Sequence, residues 1–600
     1  METQKKRLYN RKTNMGSAST GELYYLRMML TVVQGPTCHE DIRTVKGTQY
    51  DSYRDAYFAS GFLGDNKEYI EAIKEAHKWG SGVFLKKLFV TLLLATTMDR
   101  PRHVWNKTNH WLADGILYNQ RRLANDKALE LTEEEIDNLT LLEIEKSLQA
   151  NSKSFKDFPT MQYPNGYVTE TLGNRLMYDE KDYNAAEQLI EFNKLYASLT
   201  DELKAIYEKI IDAVNRQQGG VFFLHGYGGN GKTFMWRTLA SALRAQKKIV
   251  LTVATSEIAF LLLSGGRTAH SKFKIPVPTL ENSTCNIDHK DELAAIQIKY
   301  LEAKLWFLEV TLDKYYLLCQ EEVDRISFTL QLMLSKIWDE CEVLTLTKNM
   351  RLQSSTNSAH NSEITEFSEW LLKVGEGKLS EPNNGYADID ITDELLITDY
   401  EDPIKAIVES TYPDLLQNYQ HPDFFISGAI LASTIEIVDQ INNYVLNLLP
   451  GETAEYSSTI DRTEAAHSEA FDVVTTEFLS SLRCSGVPNH KIVLKVGTPI
   501  MLLRNFDQSE GICNGTRLTV TKLGEHVLEA KIIYGKNIGA IIYIPRMEMS
   551  PSESPWPFKL IRRQFPIIVS FAMTINKSQG QSLDSVGLYL PRSVFSHGQL

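Results

Sequence analysis

Cysteine is scarce in this chain. Its six residues, Cys38, Cys285, Cys319, Cys341, Cys484 and Cys513, include no C-x-x-C pair, which argues against a zinc site. Thiols scattered this way fit a reducing compartment. The histidines of the first segment, His39, His77, His103 and His110, have no metal-ligand spacing and read as structural. Long apolar runs are also missing. The longest, Leu88 to Met98, is too short to cross a bilayer and reads as a buried helix, so no membrane partner is expected. Met1 to Thr20 is polar and basic with no apolar stretch, so no secretory signal is expected. Lys5-Lys6-Arg7 fits either a nuclear address or a disordered tail. No repeat or low-complexity tract is visible.

Strong charge of one sign is absent as well. The net charge of −13 over 600 residues excludes a uniformly basic chain but not a local polyanion-binding patch. Acid gathers at Glu133 to Asp137 and at Asp388 to Glu401. From Ser485 to Leu600 the balance reverses, with thirteen lysines and arginines against seven aspartates and glutamates, a local charge of +6. That excess reads either as the solvated face of a domain or as a polyanion-binding face.

What is present is an ordinary globular composition, 43% apolar and 23% charged, long enough for roughly three to five domains. The first part, to about residue 185, reads as mostly helical. Lys67 to Trp79 carries apolar residues at helical spacing, and Thr132-x-x-Glu135 is a capping box. From about residue 186 strands and helices alternate. Val221 to His225 reads as a strand, Lys232 to Ala245 as a helix and Ile249 to Thr255 as a second strand, together a parallel βαβ unit. Ala429 to Ala432 followed by helical Glu436 to Leu449 opens a second such region. Past Asn505, turns at Asn514-Gly515, Leu523-Gly524 and Tyr534-Gly535 predict short strands.

Between the first strand and helix, Gly226-Tyr227-Gly228-Gly229-Asn230-Gly231-Lys232-Thr233 matches G-x-x-x-x-G-K-[ST] in full. Glycines let the backbone wrap closely, so that N–H groups point at phosphate oxygens, and the following helix adds its positive end. Lys232 is placed to reach the β- and γ-phosphates of a nucleoside triphosphate, and the Thr233 hydroxyl to ligate Mg²⁺.

Further stretches follow in order: Ala254 to Ala259, Gly265-Gly266-Arg267-Thr268-Ala269-His270-Ser271, Leu346 to Leu352, Lys495 to Asn505, Asn514-Gly515-Thr516-Arg517 and Thr574-Ile575-Asn576-Lys577-Ser578-Gln579-Gly580-Gln581-Ser582. In this order they resemble the Pif-type DNA helicases of superfamily one, in particular the branch carried by Helitron transposons, from about residue 190 to the end. Tyr24 to Gly115 resembles what precedes the motor in that branch. The resemblance implies an α/β fold of two RecA-like P-loop domains, with ATP between them and single-stranded DNA across the top. They would occupy 186–350 and 351–505 with 566–600, with an SH3-like β insert at 506–565 and the mostly helical region at 1–185. It implies that Gly266, Thr268 and His270 face DNA, that Arg351 reaches the γ-phosphate, and that Thr574, Lys577, Ser578, Gln579 and Gly580 couple DNA grip to nucleotide state.

The sequence departs from the family in places. Leu203 stands where the family has an adenine-reading glutamine. Ala303 to Val310 stands where four apolar residues and Asp-Glu belong, so Glu309 takes the magnesium-holding place and Val310 cannot act as a base. Trp338-Asp339-Glu340 lies too far along to replace that pair. The family's Gly-Asp-x-x-Gln sensor has no counterpart, and its second catalytic arginine falls beyond Leu600, so the second lobe reads as truncated. The resemblance implies an ATP-dependent helicase moving 5′-to-3′ on single strands in the nucleus, with roles in DNA repair, recombination and telomere maintenance. A helicase-derived protein that binds nucleotide or DNA with little turnover is the alternative. A P-loop kinase leaves the motifs after Ala254 unexplained.

Overall fold

The computed structural model describes residues 25–165, 183–254, 262–275, 305–308, 341–350, 358–375, 389–463 and 476–592, with short breaks inside several of these segments. Two compact units divide the chain, residues 1–148 with 153–163 and residues 149–152 with 164–600. The first unit is largely helical, with α1 (Lys67–His77), α2 (Gly82–Leu94), α3 (Pro101–Leu112), α4 (Ile116–Ala124) and α5 (Glu133–Ala150). Helix α2 is mostly apolar and buries most of its residues, with Val83 and Lys87 left exposed. Its Leu85, Leu88, Phe89, Leu92 and Leu93 are at most 1% exposed. The buried Lys86 of α2 keeps its charge satisfied by pairing with Glu143 of α5. The expected capping box opens α5: Glu135 N–H donates to Thr132 Oγ1 at 3.3 Å, and Thr132 N–H donates to the Glu135 carboxylate at 2.8 Å.

The second unit begins with α6 (Ala185–Ala197) and α7 (Asp201–Asn215). Leu203, Ile206, Tyr207 and Ile210 make an apolar stripe on α7 and are buried with Phe222 and Leu224 of the next strand. That strand, β1 (Gly220–His225), leads through the glycine loop into α8 (Lys232–Ala245), whose bounds coincide with those read from the sequence. Short strands β2 (Val253–Ala254) and β3 (Arg267–Thr268) pair in parallel. Then β4 (Leu305–Leu308) and β5 (Cys341–Thr345) flank β1, both parallel to it, in the order β4-β1-β5. Of the predicted strand Ile249 to Thr255, whose last residue lies outside the described residues, only Val253–Ala254 is a strand. The reason lies in tertiary contacts: the Val250 carbonyl accepts from the Arg244 guanidinium at 3.3 Å instead of from a strand neighbour.

Farther on come α9 (Ser358–Gly375), α10 (Pro403–Thr411), β6 (Gly428–Ala432) and α11 (Ile435–Leu448), followed by β7 (Ala454–Ser457), β8 (Thr459–Thr463), β9 (Lys491–Leu494) and β10 (Pro499–Leu502). The chain continues through β11 (Arg517–Leu523), β12 (Val527–Ile532), β13 (Ile541–Pro545), β14 (Met547–Met549), β15 (Lys559–Gln564), β16 (Ile567–Val569), β17 (Ala572–Thr574) and β18 (Ser585–Tyr589). A second parallel sheet has the order β17-β6-β18. A five-stranded antiparallel sheet has the order β13-β12-β11-β10-β16, so it draws β10 and β16 from outside 506–565. Asn442 of α11 locks the parallel sheet, accepting from Ala572 N–H at 2.8 Å and donating to Val569 O at 2.9 Å.

Among the described residues, three of the cations counted after Ser485 lie inside. Lys495, Arg517 and Arg562 are 9%, 0% and 0% exposed. Arg562 donates to the carbonyls of Pro488, Leu479 and Leu482 at 2.9, 3.0 and 3.1 Å. These charges serve packing, and the excess of +6 overstates what this region can present to a polyanion.

Candidate nucleotide-binding site

The glycine loop leaves the carboxyl end of the central strand β1, where Phe222, Phe223 and Leu224 are buried and hold the loop's root still. Gly229 and Gly231 have φ of +89° and +83°, values a side chain tolerates poorly. A methyl group on Gly226 would come within 2.9 Å of Leu346 Cβ, so close backbone packing requires glycine there too. Nothing lies within 4 Å of where a Cβ on Gly228 would sit; this exposed face is open to a ligand. Gly231 caps α8, which places Lys232 and Thr233 in the first turn, where the helix carries its partial positive charge.

Lys232 is 8% exposed. Its ammonium donates to Gly226 O and, at 3.4 Å, to Tyr227 O. The cation therefore points back into the loop it closes, where a phosphate could compete for it. Thr233 is half-buried one residue later. Its hydroxyl is an oxygen that could ligate Mg²⁺, a hard cation that takes oxygen ligands and keeps several waters. Asn230 has a scaffolding role: its buried side chain donates to Leu346 O at 2.7 Å.

A strap, Leu346 to Met350, braces the loop from the far side of β5. Leu346 N–H donates to His225 O at 2.8 Å, and Met350 N–H donates to Gly229 O at 3.0 Å. The strap is itself held by Glu202, at the start of α7. The Glu202 carboxylate accepts from Thr347 N–H at 3.0 Å, Thr347 Oγ1 at 2.8 Å and Lys348 N–H at 3.2 Å. Partial burial alone would raise its pKa, but the bonds from Thr347 and Lys348 and the Lys348 charge outweigh burial and hold it below the usual carboxylate range. Leu203, in the place of the family's glutamine, is 1% exposed and packs against Gly231.

Gly266 and Thr268 are half-buried around β3, with Arg267 N–H donating to Thr252 O at 3.2 Å. Thr574 ends β17, and Lys577 and Ser578 lie in the single turn after it, where Ser578 Oγ donates to Ile575 O at 2.7 Å. The structure thus gathers Gly226 to Thr233 into one cradle and sets Thr574, Lys577 and Ser578 at the carboxyl end of the second parallel sheet. His270, Glu309, Arg351, Gln579 and Gly580 lie outside the described residues. The sequence reading missed Glu202 and the bracing part of Asn230. Each works through a partner more than a hundred residues away in the chain (145 from Glu202 to Thr347, 116 from Asn230 to Leu346), which leaves no local signal.

Residues 198–312 and 318–385 match the profile described as PIF1-like helicase, and residues 477–523 match that of the 2B domain of DNA helicase Pif1. Part of the second unit is therefore similar to PIF1-like helicases. Among curated relatives, an ATP-dependent DNA helicase PIF1 of Xenopus laevis is 33% identical over 168 residues, covering 27% of this chain and 23% of that protein. The corresponding protein of Danio rerio is 29% identical, covering 33% of this chain and 28% of its own length. The chain thus spans about a quarter of the length of these curated relatives. Pif1 of Bdellovibrio bacteriovorus is 22% identical over 374 residues, covering 62% of this chain and 78% of its own. A crystal structure of Bacteroides Pif1 bound to single-stranded DNA aligns with 67% of this chain and 88% of its own, at 19% identity and a TM-score of 0.43. Both profile matches lie beyond residue 197, in the unit that carries the glycine loop.

Proposed function

We propose that this chain is an ATP-dependent DNA helicase of the PIF1-like family, moving 5′-to-3′ along single-stranded DNA in the nucleus. The observation that carries the reading is the glycine loop, seated between a central parallel strand and α8 and braced by the Leu346–Met350 strap. In this reading Lys232 and the loop amides bind the phosphates of ATP, and Thr233 with Glu309 holds Mg²⁺. Arg351 neutralises charge as the γ-phosphate leaves. Gly266, Thr268, His270, Thr574, Lys577, Ser578 and Gln579 grip the DNA backbone through hydroxyls, amides and a cation, which requires no particular base sequence. Two RecA-like lobes would frame the ATP, and the antiparallel strands after Asn505 would form the SH3-like insert.

Strand separation on forked duplexes tests this. With ATP and Mg²⁺, a duplex carrying a 5′ single-stranded tail is expected to open while one with only a 3′ tail stays paired. The Lys232→Ala variant is expected to open neither. Opening from the 3′ tail would refute the stated direction, and unwinding by Lys232→Ala would refute the role given to the cradle.

A further inference from the structure

The carboxyl end of α8 makes contacts that the phosphate cradle does not use. The helix starts at Lys232 and ends at Ala245, about 20 Å along its axis at 1.5 Å per residue. Met235, Leu239 and Ala242 sit in the first core, and Arg237 is tied to Glu191 of α6 at 2.6 Å. These contacts tie the helix along its length to the first core and to α6. Near its end the guanidinium of Arg244, 1% exposed, donates to Ser264 O at 2.9 Å and Val250 O at 3.3 Å. Its planar face lies 4.0 Å over the ring of Tyr183. The Tyr183 carbonyl is held in turn by Lys247 Nζ at 2.7 Å.

The loop that Arg244 grips is the one leading into Gly266 and Thr268. Ser264 O also accepts from Thr252 Oγ1 at 3.0 Å, and Gly266 N–H donates to Leu263 O at 3.1 Å. Gly265 has φ +65°, and a Cβ there would collide with the Tyr183 hydroxyl and come within 3.0 Å of Arg244 Nη2. The fit leaves no slack between the arginine, the ring and the loop. A planar guanidinium can stack and donate in two directions at once, which an ammonium cannot do.

We propose that Arg244 is a positioning residue that transmits the state of the phosphate loop along α8 to the Ser264–Thr268 loop. The inference rests on the nucleotide-binding reading above and names the route by which that site would address the loop. A simple structural clasp would fix the loop equally whether or not nucleotide is bound. A transmitting contact makes the loop's order depend on nucleotide.

Amide hydrogen exchange on the full chain, with and without Mg²⁺ and a non-hydrolysable ATP analogue, separates the two. In the wild type the analogue is expected to slow exchange at Gly266 to Thr268 by about five-fold or more. Arg244→Gln and Tyr183→Leu are expected to lose that nucleotide-dependent ratio while binding the analogue within about two-fold of wild type. Tyr183→Phe, which keeps the ring, is expected to retain it. No nucleotide-dependent protection in the wild type, or an unchanged ratio in Tyr183→Leu and Arg244→Gln, would overturn the proposal. A normal protection ratio in a wild type that shows no DNA-stimulated turnover would support this coupling and count only against the helicase reading.

Discussion

At the start of α7, the Glu202 carboxylate accepts three hydrogen bonds from Thr347 and Lys348 and so fixes the strap that braces the phosphate loop. Glutamine can accept on one oxygen only and carries no charge. Glu202→Gln is therefore expected to weaken ATP binding by about three- to ten-fold, as read by titration with a fluorescent nucleotide. The pH dependence follows from the lowered pKa. The folded value lies below the unfolded one, so the stabilisation is full above the unfolded value of about 4.3 and is lost as pH falls through the folded value. Melting curves across the acid range are expected to fall more steeply for wild type than for Glu202→Gln; parallel curves would remove Glu202 from the account. Arg562 is a second residue whose worth lies in satisfying carbonyls, three of them. Arg562→Met keeps volume and strands those acceptors, for an expected loss of about 3 kcal/mol in denaturant unfolding. An unchanged midpoint would show that they find other partners.

Elements bounded by strong local chemistry were legible in the sequence. Helix α8 runs from Lys232 to Ala245 as read, because the glycine loop sets its start and Gln246-Lys247-Lys248 leaves the helix. At that end Lys247 adopts a left-handed φ of +58°. The capping box at Thr132 was equally visible. The strand predicted at Ile249 to Thr255 was mostly absent, since its β-branched residues favour a strand but a guanidinium from α8 takes the Val250 carbonyl. The loop itself makes a prediction. Gly231 has φ +83°, and a Cβ there would press on the Met350 sulfur. Gly231→Ala is expected to cost about 1–2 kcal/mol in backbone strain and to weaken nucleotide binding at least ten-fold while far-UV dichroism stays near wild type. Unaltered binding would show that the cradle tolerates a side chain where the geometry forbids one.

At the level of the whole molecule, the glycine loop was readable because one eight-residue motif encodes it between a strand and a helix. The braces around it, Glu202 to Thr347, Asn230 to Leu346 and Arg244 to Ser264, were not, because each joins segments that only the tertiary fold brings together. The same holds for the charge of the last segment, where Lys495, Arg517 and Arg562 proved to be interior. The central claim is that Lys232 and the loop amides grip a triphosphate whose hydrolysis answers to DNA. Its most direct measurement is steady-state ATP hydrolysis by the full chain with Mg²⁺, with and without single-stranded DNA, beside Lys232→Ala. The account predicts turnover stimulated at least ten-fold by DNA and reduced about 10²–10³-fold in the variant. Equal hydrolysis by wild type and Lys232→Ala, or turnover indifferent to DNA, would contradict it.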